Sequence, residues 1–140
     1  MKKIFKIFLI AIFLTASSAI YSIAYDGNNP LFVTITSQWC HTCKSLKPVI
    51  EELKTSYEDR VTFLTLVTSS KESLDESRDI AREYSILDYF EANKNTLPNV
   101  AIFCPGGKLE KNFIGEVRKE IYTNALEEIL SNPTQICISQ

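Results

Sequence analysis

Two cysteines with two residues between them, Cys40 and Cys43 in the run Trp39-Cys40-His41-Thr42-Cys43-Lys44, are the side chains of this protein best placed to do chemistry. Thiols at this spacing either cycle between dithiol and disulfide or supply half of a tetrahedral metal site. The elements around them bear on the choice. The preceding run, Leu31-Phe32-Val33-Thr34-Ile35-Thr36, is β-branched and aromatic and reads as a buried strand. The following stretch places Leu46, Val49, Ile50, Leu53 and Tyr57 on one face of a helix. Cys40 therefore sits where a helix begins, close to unpaired backbone N–H groups and the positive end of the helix dipole. That setting favours a thiolate, the form that attacks disulfides. Cys43, one turn further on, can close a ring with Cys40 and release a bound partner. Cys40 is accordingly the attacking thiol and Cys43 the resolving thiol.

A structural zinc site needs two further ligands, and the chain offers only His41, Cys104 and Cys137. It has no second Cys-x-x-Cys and no histidine pair, so no metal is expected, and no cofactor beyond the Cys40–Cys43 disulfide itself. His41 and Thr42 lie between the two thiols and are the modulating residues. As an imidazolium beside Cys40, His41 would stabilise the thiolate; as an exposed residue in a first helical turn it has no role. Cys104 and Cys137 complete an even set of four cysteines. In an oxidising compartment they form a second, structural disulfide that pins the tail; otherwise they are two separate thiols.

Beyond the bare Cys-x-x-Cys, the chain resembles the thioredoxin superfamily. The family motif Trp-Cys-x-x-Cys-Lys stands at Trp39 to Lys44, and a proline five residues after the second cysteine stands at Pro48. Leu97-Pro98-Asn99, ahead of Val100-Ala101-Ile102-Phe103, resembles the family's cis-proline loop, and Gly115 fits a glycine after the next strand. The resemblance spans roughly Leu31 to Leu130. It implies a dithiol at Cys40 and Cys43, a cis bond at Pro98, and a substrate groove made by Trp39, Leu97 and Pro98. In the family, the backbone at the cis-proline pairs with an extended substrate chain, a form of strand addition. Two positions depart from the pattern. The family's buried aspartate, in the strand leading to the motif, has no counterpart: Phe32 to Thr36 contain no carboxylate, so its part in proton transfer is either missing or supplied elsewhere. The dipeptide between the cysteines is His-Thr rather than Gly-Pro. The more oxidising relatives carry histidine beside the second cysteine, whereas His41 follows the first, so their oxidising character is not carried over.

The remaining chain is read as what must position these residues. Its 140 residues, 45% of them apolar, suffice for one globular domain. Met1-Lys2-Lys3 and Lys6, the apolar run Ile7 to Leu14 and the small residues around Ala19 and Ala24 have the layout of a secretory signal peptide. Residues 1–24 are expected to be this signal, or an uncleaved membrane anchor, and 25–140 the thioredoxin-like domain. Removing 1–24 takes three lysines and no acids, leaving 12 basic against 17 acidic residues, a net charge of −5. That balance argues against nucleic acid and anionic membrane surfaces as partners.

Asp26 to Pro30 is turn-rich. Val61 to Val67 reads as a second strand buried on both faces. Ser73-Leu74-Asp75-Glu76 reads as a capping box opening a helix that runs to about Leu87, with Ile80, Ala81, Tyr84 and Leu87 on one side. Asp88 to Thr96, with Tyr89 and Phe90, forms either a packed loop or an extra helical turn beside the site. Val100–Phe103 and Leu109–Ile114 are strands joined at Gly106-Gly107, and a last helix runs from about Val117 to Leu130, stopped by Asn132-Pro133. The fold expected is α/β: a compact thioredoxin-like fold with a central four-stranded mixed sheet flanked by helices.

The function expected is that of an extracytoplasmic thiol–disulfide oxidoreductase, periplasmic if the cell is bacterial, with reduction favoured over oxidation. It would act as a monomer on protein thiols and disulfides and be recycled by a redox partner; a membrane enters only if the N-terminal segment is uncleaved. Two other readings stand beside it: a non-catalytic module holding clients in the Pro98 groove, and a metal-delivery protein using the dithiol.

Overall fold

The computed structural model describes residues 27–138; the export segment expected over residues 1–24 lies outside the described residues. The elements run β1 (Leu31–Thr36), α1 (His41–Tyr57), β2 (Thr62–Val67), α2 (Lys71–Glu83), α3 (Leu87–Asn93), β3 (Asn99–Phe103), β4 (Leu109–Ile114), α4 (Lys119–Ser131) and α5 (Pro133–Ile138). The four strands form one mixed sheet in the order β2-β1-β3-β4. β1 is parallel to β2 and antiparallel to β3, and β3 is antiparallel to β4.

The period of two along the central strands divides the core into two layers. Phe32, Val100 and Ile102 pack against Leu46, Ile50 and Leu53 of α1 and Tyr122, Leu126 and Ile129 of α4. Leu31, Val33, Ile35, Ala101 and Phe103 point to the other face and meet Ala81 of α2 and Phe90 of α3. Each fully buried large aliphatic or aromatic side chain contributes about 1.5–3 kcal/mol of transfer free energy. β1 and β3 are therefore the stable centre from which the site is hung.

Several elements differ from the sequence reading. β2 is not buried on both faces: it is an outer strand of the sheet, and Thr65 is exposed. An apolar run alone does not distinguish a central strand from one with a single neighbour. The cap of α2 is Ser70, not Ser73. Ser70 Oγ accepts the Ser73 N–H at 3.1 Å and Ser73 Oγ accepts the Ser70 N–H at 2.9 Å. A short hydroxyl thus makes the reciprocal contact expected of Glu76. α2 stops at Glu83, and Ser85, at φ 58°, turns the chain into α3. The segment expected as a packed loop or an extra turn is therefore a short helix, with Phe90 fully buried. α4 begins at Lys119 rather than Val117, because the Glu116 carboxylate accepts the Val117 and Arg118 N–H groups just ahead of it. Pro133 ends α4 but opens α5, a first-turn position that suits a residue without an N–H.

Candidate active site

β1 delivers the chain to the dithiol at the C-terminal end of the sheet, and α1 carries it away. Cys40 is the N-cap of α1, in extended conformation (φ −81°, ψ 112°), and its sulfur accepts the Cys43 N–H at 3.1 Å. Cys40 and Cys43 are joined as a disulfide with their Cα atoms 5.2 Å apart. Cys40 is half-buried, whereas Cys43 is 5% exposed on the inner side of the helix. The sulfur within reach of a partner is therefore also the one held by a helix N-terminal amide, which stabilises negative charge there. His41 is exposed at the first helical position and Thr42 is half-buried beside it. Pro48 lies within α1, two turns in.

The turn before Cys40 is held from the neighbouring strand. Ser69, just beyond β2, accepts the Gln38 N–H at 2.8 Å through its hydroxyl, which also lies 3.3 Å from Ser37 Oγ. Its carbonyl accepts the Trp39 indole N–H at 3.4 Å. Trp39 is thereby oriented by its polar edge while 78% of its surface stays exposed, so it is not a core tryptophan. Ser37 and Ser69 were not among the sequence candidates. The signal that could have found them is small hydroxyl residues just past the ends of two parallel neighbouring strands.

The Leu97–Pro98 peptide bond is cis. Antiparallel pairing sets Asn99 opposite Ile35, so Pro98 meets the sheet at the end of β1 from which the chain leaves for Cys40. Pro98 is buried, Leu97 is half-buried, and the Pro98 carbonyl accepts the Gly115 N–H at 2.9 Å. Gly115 makes this approach with φ 70°, a left-handed conformation that suits glycine.

The next residue anchors the loop. Asn99 is fully buried; its Oδ1 accepts the Tyr89 hydroxyl at 2.6 Å, and its amide donates to Asn93 Oδ1 at 3.1 Å. Burial pushes the Tyr89 phenol well above its ordinary range, so it remains a donor. α3 thus braces the proline loop from behind, a role for Tyr89, Asn93 and Asn99 that sequence reasoning missed.

Cys104 and Cys137 are joined as a second disulfide, Cα atoms 5.6 Å apart, linking the end of β3 to α5. The register pairs Phe103 with Leu31, at the start of β1. Cys104 therefore stands at the opposite end of the sheet from Cys40, and the four cysteines do not share one site. Residues brought together at the dithiol are Trp39, Cys40, His41, Thr42 and Cys43, with Leu97 and Pro98 at the adjoining sheet end.

Comparison with known proteins places this arrangement. The family model for thioredoxin matches residues 14–128. The chain is 27% identical over 110 residues to a chloroplastic M-type thioredoxin of Chlamydomonas reinhardtii, covering 79% of this chain and 68% of that one. It is 26% identical over 117 residues to a thioredoxin of Alicyclobacillus acidocaldarius, covering 84% and 97% respectively. Among solved structures, oxidised thioredoxin O2 of Arabidopsis thaliana shares the fold, with a TM-score of 0.55 and 23% identity over 78% of this chain and 82% of that one. Because the matched span takes in β1, the dithiol and α1 together with the proline loop, the chain belongs to the thioredoxin family of thiol–disulfide oxidoreductases.

Proposed function

We propose that this protein is an exported protein-disulfide reductase in which Cys40 attacks and Cys43 resolves. The observation that carries the reading is the Cys43 N–H on the Cys40 sulfur at 3.1 Å, with Cys40 the more exposed of the pair. A thiolate at Cys40 displaces one sulfur of a client disulfide and forms a mixed disulfide. Cys43 then attacks Cys40 Sγ, closes the ring seen here and releases the client as a dithiol, so two electrons pass from the protein to its client. Trp39, Leu97 and Pro98 offer an apolar and backbone surface on which an extended client segment can lie. Reduction is favoured over oxidation because Trp-Cys-x-x-Cys-Lys and Pro48 resemble the reducing branch of the family.

Export rests on the basic, apolar and small-residue pattern of residues 1–24, which precede the domain at 25–140. Clients and the recycling redox partner are then extracytoplasmic proteins, in the periplasm if the cell is bacterial. The dithiol itself serves as the redox group, with no added cofactor.

The deciding experiment equilibrates the protein in glutathione buffers and counts trapped thiols by mass. A potential near ~−270 mV, that of thioredoxin, is expected for a reductant; one near ~−120 mV would mark an oxidant of folding proteins. A pair that does not cycle would overturn the reading. Export is tested by the N-terminal sequence of the protein recovered outside the cytoplasm, which is expected to begin after Ala19 or Ala24.

A further inference from the structure

Resolution requires Cys43 to lose a proton, yet Cys43 is 5% exposed. The inference here rests on the reading of Cys43 as the resolving thiol. The strands beneath it, Leu31–Thr36 and Thr62–Val67, carry no titratable side chain. An open crevice of about 360 Å³ runs between α1 and this edge of the sheet. Cys43 and Thr34 both line it, Thr65 flanks it from β2 in register with Thr34, and Lys47 and Glu51 stand at its exposed side.

Thr34 is 5% exposed, and among the described residues its Oγ1 is the buried side-chain oxygen for which the protein supplies no hydrogen-bond partner. A buried hydroxyl without a protein partner, on an open crevice that Thr36, Ser37 and Thr65 line as well as Leu46 and Ile50, is a water-binding position. The same crevice reaches the thiol that must be deprotonated.

We propose that Thr34 is a positioning residue for proton transfer, its hydroxyl holding a water in this crevice that takes the Cys43 proton to bulk solvent. The proton passes from Cys43 Sγ to the water and on to a base in solution. The freed electron pair forms the bond to Cys40 Sγ, and the bond from Cys40 Sγ to the client sulfur breaks with its pair leaving on the client thiolate. In the reverse direction the same water returns the proton. The charged groups facing the crevice are Lys44, Lys47 and Glu51, all from α1, and Glu51 also lies 3.4 Å from Lys54.

The test follows the two thiol steps separately in the purified full chain, reduced at Cys40 and Cys43 with stoichiometric dithiothreitol. The probe is dithiobis(nitrobenzoate), an aromatic disulfide that releases one coloured thiolate on attack by Cys40 and a second on resolution by Cys43. Thr34→Val is expected to leave the first phase unchanged and slow the second about tenfold near neutral pH. That is less than the roughly hundredfold of a directly acting acid–base group, because the hydroxyl works through water. The deficit is expected to shrink toward about pH 9, where hydroxide takes the proton. Thr34→Ser, which keeps the hydroxyl, is expected to retain the fast second phase, and Glu51→Gln to leave it unchanged.

An unchanged second phase in Thr34→Val, an equal slowing in Thr34→Ser, or slowing by Glu51→Gln in place of Thr34→Val would each overturn the assignment. Loss of the first phase in the unsubstituted protein would instead sink the reading of Cys40 as attacking thiol. The two failures are therefore distinguishable.

Discussion

The Cys43 backbone N–H donates to the Cys40 sulfur at 3.1 Å, across the first turn of α1. Replacing the Cys43 side chain leaves this amide in place. Cys43→Ser is therefore expected to remain nucleophilic at Cys40 and to accumulate a mixed disulfide with client or glutathione, whereas Cys40→Ser accumulates none. Both lose turnover completely. Mass measurement after acid trapping checks this, and an adduct on Cys43 in Cys40→Ser at the same rate would reverse the two roles.

Tyr89 and Asn99 tie α3 to the proline loop at 2.6 Å. Tyr89→Phe keeps the ring, including its edge contact with Phe103 at 5.2 Å between centroids, but removes the donor. The buried Asn99 carbonyl oxygen is then left unpaired, at a cost of about 1–3 kcal/mol. Urea denaturation measures that loss. Because the bond braces the residue next to Pro98, KM for a protein disulfide is expected to rise more than kcat falls.

Glu91 joins α3 to α2: its carboxylate accepts Arg78 Nε at 2.6 Å and also pairs with Lys94. Hydrogen bonds from Arg78 and then Lys94 hold the Glu91 carboxyl down at about 2, from an ordinary 4.5. A depressed folded-state value contributes stability that is fully present above the unfolded value and is lost as pH falls through the folded one. The tie therefore weakens between about pH 4.5 and about pH 2. Glu91→Gln is expected to flatten the stability profile across that window, read as the urea midpoint at successive pH values. The effect is modest because the carboxylate is exposed to solvent screening.

The Cys104–Cys137 bridge closes a segment with a sequence separation of 33. Loop-closure entropy for that length corresponds to roughly 3–4 kcal/mol. Replacing both cysteines by alanine is expected to lower unfolding free energy by about that amount, plus whatever cavity cost remains at the buried Cys104 position. The rate of the Cys40 reaction is expected to be unchanged, since the bridge sits at the far end of the sheet. A change in that rate would show that the two disulfides communicate.

The Cys40–Cys43 pair and the helix that begins at it were legible in the sequence because they depend on neighbours within one turn. Strand, Cys-x-x-Cys and amphipathic helix are local patterns, and β1 and β4 run where the β-branched, aromatic run and the Gly106-Gly107 turn set them. Pro98 was legible through resemblance to a family, not through any local rule. What local pattern could not decide was everything set by partners distant in the chain. β2 became an outer strand because strand order is a tertiary property. The cap of α2 was misplaced for a different, local reason: Ser70 and Ser73, three residues apart, are equally suited to cap a helix. Ser69 on Gln38 and Tyr89 on Asn99 are meetings across separations that no periodicity encodes, as is the crevice that Thr34 and Cys43 both line. Hydrogen bonding is directional and short-ranged, so a polar side chain's partner is chosen only once the sheet and helices have brought candidates within reach.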